Sequence, residues 1–330
     1  MRIITCASYY GSGSSAITDL ISEYSSVYSF TDEEFRFVQD PNGIADLEYN
    51  LVENFNRHNS GYALKQYKKM VDFYCGSFIN PRYERYFKGN WKKYSYQYID
   101  KLTDFKYHGW WQYDLLNKGK TYYFIKRVPN KFLKKTVWRN QPERTLNNMK
   151  KEITYCSHPT ETKFLLSTQK YIDNLFNSVT NKENIMVDQL VPSTNLSRYL
   201  RYFNNIKVFI VDRDPRDIYI LEKYVWKDGI IPTDPKIFCK WFEYTRNDRR
   251  KELKDNRVKY IQFEDLIYHY DKTVQNIENW LGFNAKEHVQ KGKLLNPRIS
   301  RNNTQTWKKY KCDLQDIKYI ENKLAQYLYF

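Results

Sequence analysis

Cysteine is scarce and scattered. The two closest of the five thiols, Cys6 and Cys75, stand 69 positions apart, and Cys156, Cys239 and Cys312 follow at wider intervals. No pair has the spacing of a zinc site or a CxxC redox motif, and an odd, dispersed set fits a reducing compartment. The five histidines are equally dispersed, so no bound metal is expected. Apolar runs are short, with none near the roughly 18 residues that a membrane-spanning helix needs. The 11 glycines and 10 prolines gather into no linker, and no repeat or low-complexity tract divides the 330 residues. The opening residues Met1–Ser8 turn polar too soon for a signal peptide. The protein is therefore expected to begin at Met1 and to stay in the cytoplasm.

Two things are abundant. The chain holds 54 Lys+Arg against 38 Asp+Glu, a net charge of +16, and 8 Trp, 31 Tyr and 19 Phe make it 18% aromatic. A basic, aromatic surface suits anionic or sugar-rich partners, among them nucleotides, acidic polysaccharides and nucleic acid. A Lys-, Asn- and Tyr-rich composition also follows from an AT-rich genome.

Four β-like segments are each followed by a helix-like one. They are Arg2–Ser8 with Ser14–Tyr24, Ile185–Gln189 with Ser193–Phe203, Lys207–Asp212 with Pro215–Trp226, and Arg257–Phe263 with Glu264–Leu281. Alternation of this kind predicts an α/β fold with a parallel sheet flanked by helices and right-handed crossovers. Residues 44–180, richer in helical patterns, read as a largely helical insertion in a single domain and as a candidate acceptor-binding subdomain. Thr121–Val128 is one strand candidate within it. A further helix is expected over Asp234–Leu253, its apolar stripe Ile237, Phe238, Trp241 and Phe242 reading as core.

Three polar segments stand where chemistry is done. Tyr9-Tyr10-Gly11-Ser12-Gly13-Ser14-Ser15 lies between a strand and a helix, where glycines let successive N–H groups converge on an anion. The helix start adds the positive end of its dipole, and the hydroxyls of Ser12, Ser14 and Ser15 add donors. The same residues also serve as an ordinary strand–helix turn with serine caps. No Gly-Lys-Ser/Thr ending follows, so the usual nucleoside-triphosphatase loop is not met. In Asp212-Arg213-Asp214-Pro215-Arg216-Asp217, Asp214 and Pro215 suit a helix start. Arg213 falls at a strand's C-terminal edge, where open α/β sheets bind ligands, and its planar fork matches a phosphate. A salt bridge to Asp212 or Asp217 is the plainer reading. The third segment, Ser300 to Lys309, is a donor-rich loop that carries Arg301 and ends near Trp307.

Taken together and in this order, the three resemble the sulfotransferases that use 3′-phosphoadenosine 5′-phosphosulfate (PAPS). That family holds the 5′-phosphosulfate in a strand–loop–helix like Gly11–Ser15 and the 3′-phosphate with arginines that match Arg213 and Arg301. Tyr260–Leu266 resembles the family's strand ending in Glu-Asp-Leu, and Val187–Pro192 stands where bacterial members carry Glu-Lys-Thr-Pro. The resemblance spans roughly residues 1–40 and 185–310. It implies a P-loop-like fold, PAPS as co-substrate without a metal, and a hydroxyl acceptor, above all a carbohydrate of a cell-surface or capsular polysaccharide or its precursor. Nucleic acid is not expected as a partner, whereas peripheral membrane contact is compatible with the chain. Gly11 replaces the family's cation before Ser-Gly, and Lys126 and Arg127 are candidates to supply that charge.

Sulfuryl transfer needs in-line positioning, stabilised oxygens and a base for the acceptor hydroxyl. The family's heparan-type members place a catalytic Glu about as far beyond the anion loop as Glu33, with a second acidic residue that matches Asp19. Asp188 is a further candidate base. Glu33 also reads as part of an acidic first helical turn after Thr31, and His108 near Trp110 and Trp111 reads as packing. A nucleotide-dependent kinase and a non-catalytic polyanion or nucleic-acid binder are the alternative functions.

Overall fold

The computed structural model describes residues 1–330 apart from 78, 81, 110–113, 142, 145–151, 247–253 and 311–312, with 31, 32, 114–116, 123 and 126 described as backbone only. Seven strands occur among the described residues: β1 Arg2–Ser8, β2 Val27–Glu34, β3 Phe105–His108, β4 Ile153–Cys156, β5 Asn184–Asp188, β6 Ile206–Asp212 and β7 Val258–Gln262. The chain forms two compact units, Met1–Asp40 with Ile172–Phe330, and Pro41–Tyr171.

The first unit is an α/β fold built on a five-stranded sheet in the order β2-β5-β1-β6-β7. All four pairings are parallel. β5 is buried along its whole length and β1 at its five central residues, as expected of strands covered on both faces. One face packs Ile17, Leu20 and Ile21 of the helix Ser14–Ser22 against Phe209, Val211 and Ile261, with Leu266, Val274 and Ile277 completing the layer. A second cluster joins the helices Pro215–Leu221, Pro235–Thr245 and Leu314–Lys323 through Ile218, Phe238, Phe242, Ile317 and Ile320. After β1 the chain runs to β2 on one side, and from β6 to β7 on the other. The direction therefore reverses between β1 and β6, and the crevice beyond their C-terminal ends is where such sheets take ligands.

The sequence-based strands Arg2–Ser8, Ile185–Gln189, Lys207–Asp212 and Arg257–Phe263 coincide with β1, β5, β6 and β7. β2 was not expected. Three helices differ. The segment after β5 forms only the short turns Leu196–Tyr199 and Leu200–Tyr202, Glu264–Leu281 divides at His269, and Asp234–Leu253 is helical over Pro235–Thr245, with its last residues outside the described set.

In the second unit, β3 and β4 pair antiparallel, and the helices Arg57–Cys75 and Trp91–Leu102 carry its core. The Trp91 indole N–H donates to the Val71 carbonyl at 2.9 Å, and the Glu84 carboxylate accepts the Trp91 and Lys92 N–H groups that open the second helix. Tyr74 stacks on Tyr83 at 4.4 Å and Tyr98 on Tyr171 at 4.7 Å, so these aromatics fill a core. Thr121–Val128 is helical, a correction to the strand reading: it belongs to the helix Asp114–Lys135. Its Thr, Tyr, Phe, Ile and Val favour strands only on a pleated, half-buried surface. Here Phe124, Ile125 and Val128 face solvent.

Candidate functional site

β1 ends at Ser8 and the chain turns through Gly11 (φ 71°) and Gly13 (φ 97°), both left-handed. The Ser12 N–H and hydroxyl both donate to the Tyr9 carbonyl, at 3.0 and 2.7 Å, which locks the turn and keeps that buried hydroxyl inside the loop. Gly13 caps the helix Ser14–Ser22 with no side chain bonded to its first amides. Those amides have no carbonyl behind them in the helix and point outward with its positive end. Ser14 is half-buried and Ser15 exposed.

Both glycines sit against rings. A Cβ on Gly11 would lie 2.8 Å from the Trp226 ring, and one on Gly13 would lie 2.6 Å from the Phe263 ring. Gly13→Ala is therefore expected to cost about 1–2 kcal/mol for the left-handed backbone and roughly 1–3 kcal/mol for overpacking. Urea denaturation of the two proteins measures it; an unchanged midpoint would remove the close approach as a constraint on this loop.

Arg213 follows β6 and is 3% exposed. Its guanidinium donates to the Gly11 carbonyl at 3.3 Å and, by its other terminal nitrogen, to the Asn303 carbonyl. It lies 4.5 Å over the Phe263 ring. The Arg213 Nε has no hydrogen-bond partner among the described residues. Burial lowers the pKa of the group, while Asp217, Glu264 and Asp214 act to hold the charge. The plainer salt bridges are not formed by this side chain. Asp212 is bound instead by buried Arg246 at 2.8 Å, and the Asp217 carboxylate accepts the Gln305 and Thr306 N–H groups and the Thr306 hydroxyl, at 2.6–2.8 Å. Asp217 thus clamps the loop that follows Arg301. Arg301 itself is exposed and lies 5.4 Å over the Tyr268 ring, whose hydroxyl shares a 2.7 Å hydrogen bond with Thr304.

On the other flank of the anion loop, β5 delivers Asp188, 9% exposed. Burial and the nearby Glu34 carboxylate push its pKa up to about 7, against the Gln189 N–H and the Ser14 hydroxyl, which favour the ionised form. Asp19, on the same helix as Ser14, adds a third negative group, and burial raises its pKa too. A carboxyl poised near neutrality beside the Gly11–Gly13 turn can hold or release a proton at working pH.

Solved structures with known activities are similar in fold. The sulfotransferase domain of the olefin synthase from Synechococcus PCC 7002 is 12% identical, with a TM-score of 0.43, over 97% of this chain and 93% of that one. A sulfotransferase from Mycobacterium tuberculosis H37Rv is 12% identical, with a TM-score of 0.36, over 98% and 76%. Retinol dehydratase, solved with androsterone and the inactive cofactor PAP, is 13% identical, with a TM-score of 0.34, over 100% and 83%. No protein-family model and no curated protein sequence matches the chain.

Gly11–Ser15, Arg213 and the loop after Arg301 meet in one place, with Asp19 and Asp188 on the flank of the same anion loop. Glu33 is half-buried on β2, but it is its neighbour Glu34 that is in register with Asp188. Arg127 is exposed on the helix Asp114–Lys135 in the second unit, and the Lys126 side chain lies outside the described residues. Within the sheet unit, a second cation beside the loop, after Arg213, is Arg36, whose guanidinium hydrogen-bonds the Tyr10 hydroxyl and holds Asp40 at 2.9 Å. Gln189 was also missed. Its backbone is left-handed (φ 55°) and its side-chain amide donates to Ser8 and Ser14 at 2.7 and 3.3 Å, a conformation that residues other than Gly, Asn and Asp seldom adopt. Glu264 accepts the Asp214 N–H at 2.9 Å and so steadies the turn that presents Arg213. Only the Glu-Asp-Leu motif signalled it.

Proposed function

We propose that this protein transfers the sulfuryl group of PAPS to a hydroxyl acceptor. The observation that carries the reading is the buried Arg213 fork, tied to both the anion loop and the loop after Arg301 and retaining one unpartnered donor at the switch point of the sheet. A buried N–H without a partner costs free energy unless something accepts it, and a phosphate oxygen does so well. The Gly11–Gly13 turn supports the same reading, because both glycines hold a left-handed backbone that leaves the first amides of the helix Ser14–Ser22 without a side-chain cap.

In this reading the first-turn amides of Gly13, Ser14 and Ser15 hold the 5′-phosphosulfate, and Arg213 with Arg301 holds the 3′-phosphate. Asp188 accepts the acceptor's hydroxyl proton as the new oxygen–sulfur bond forms. The bond from sulfur to the bridging phosphate oxygen breaks, leaving 3′-phosphoadenosine 5′-phosphate (PAP). Ser14, hydrogen-bonded to Asp188, links base and cradle, and Asp19 helps to set the charge there. Arg36 supplies the positive charge that Gly11 lacks. Glu33 is the competing base, one residue away from the Glu34–Asp188 register. The acceptor is a carbohydrate, and the charge of +16 favours one that is itself anionic.

A thermal-shift titration with PAP, beside ATP with magnesium, tests this. At 100 times its dissociation constant PAP should stabilise the fold by about 2.7 kcal/mol. Stabilisation by ATP and magnesium but not by PAP would replace the reading with a kinase, and no response to either would remove the nucleotide.

A further inference from the structure

The helix Asp114–Lys135 presents an apolar face that its own unit leaves uncovered. Gly119 breaks its regularity (φ 79°, ψ 164°), and the stretch beyond is long enough for roughly 24 Å of helix. Phe124, Val128 and Phe132 recur four residues apart on that stretch with Ile125 beside them, and their exposures are 66%, 45%, 65% and 61%. At about 100° per residue they occupy one arc of the helix. Lys120, Arg127, Lys131 and Lys134 fall together on the arc alongside it, the first three exposed. Tyr122 and Leu133, half-buried, fall on the opposite side. Among the described residues of its unit, no element packs broadly against this helix.

We infer that this helix docks on an anionic lipid surface. An apolar stripe bordered by cations is the arrangement that lies in a membrane interface, rings sunk among the acyl chains and ammonium groups among the headgroups. Lys135 falls within the apolar arc at the last turn, and its long stem lifts the charge back to headgroup level. The charge selects this occupant. A second copy of a chain with net charge +16 would bring basic arcs together, whereas phosphate headgroups neutralise them. No described helix is long and apolar enough to cross the bilayer, so the contact is one of surface. The inference stands apart from sulfuryl transfer, since it needs neither nucleotide nor acceptor.

Vesicle flotation of the full chain decides it, using phosphatidylcholine with and without about one-third phosphatidylglycerol, at low and high salt. The protein should float with the anionic vesicles at low salt and stay behind with the neutral ones. Neutralising Lys120, Lys131 and Lys134 to Gln should weaken binding roughly a hundredfold. Phe124→Ser with Phe132→Ser should weaken it as well, with the far-UV spectrum and the PAP response of each variant unchanged. Absence of the parent protein from anionic vesicles would overturn the inference, as would equal binding by either variant. Light scattering without lipid that shows a dimer, converted to a monomer by the serine pair, would assign the face to a second copy instead.

Discussion

Arg213→Met is expected to remove nearly all of the stabilisation that PAP confers. Truncating one partner of a buried, hydrogen-bonded charge pair costs about 2–5 kcal/mol of binding. If affinity falls a hundredfold, PAP at 100 times the parental dissociation constant stabilises by only about 0.4 kcal/mol, against about 2.7 kcal/mol before. Each variant is compared with its own ligand-free midpoint, because Met also leaves the Gly11 and Asn303 carbonyls without their donor. Arg213→Lys should fall between the two, since it keeps the charge but loses the fork. Full PAP stabilisation of the Met variant would show that the 3′-phosphate, if bound, is held elsewhere.

Asp188→Asn is expected to lower turnover by about 10²–10⁴ with little change in PAP affinity, the usual range for loss of a general base. The parent's rate should rise with pH and level off above about 7, as the carboxyl ionises. Stability runs the opposite way. A carboxyl whose folded pKa is raised contributes fully below its ordinary value of 3.8 and loses that contribution as pH rises through about 7. Glu264, also pushed up to about 7 by burial, acts in the same direction. The Asn variant should therefore gain thermal midpoint on the parent between pH 5 and pH 8, while it loses activity. Glu33→Gln is the companion measurement. If it abolishes turnover and Asp188→Asn does not, the base is Glu33.

The two candidate bases show how far the sequence could be read. Their residue types and rough distance from the anion loop were visible, but their facing was not. Successive side chains on a strand point to opposite faces, so one residue of register decides whether Glu33 or Glu34 meets Asp188. β2 itself was hard to see, because Val27–Glu34 ends in an acidic run that also fits a helix start. Gly11, Gly13 and Arg213 were legible because their constraints are local: a turn of positive φ and a strand edge leading to Pro215. The clamp of Asp217 on Thr306 joins positions 89 apart, and nothing in either neighbourhood announces it. Thr121–Val128 failed for the converse reason. Its composition describes a strand, and an exposed helix face carries the same residues.

The position of β1 bears on how the protein comes into being. Arg2 pairs with Asn184 and Ile3 with Ile206, so β1 lies between two strands that are synthesised 182 and 203 residues after it. Pro41–Tyr171, by contrast, is an unbroken stretch that makes a compact unit of its own. During translation the anion loop must wait, its strand without neighbours, until β5 and β6 have left the ribosome. Long-range parallel pairing of this kind is slow and leaves strand edges open meanwhile. The Gly11–Gly13 turn and its crevice are thus among the last parts of the sheet unit to be completed in a growing chain.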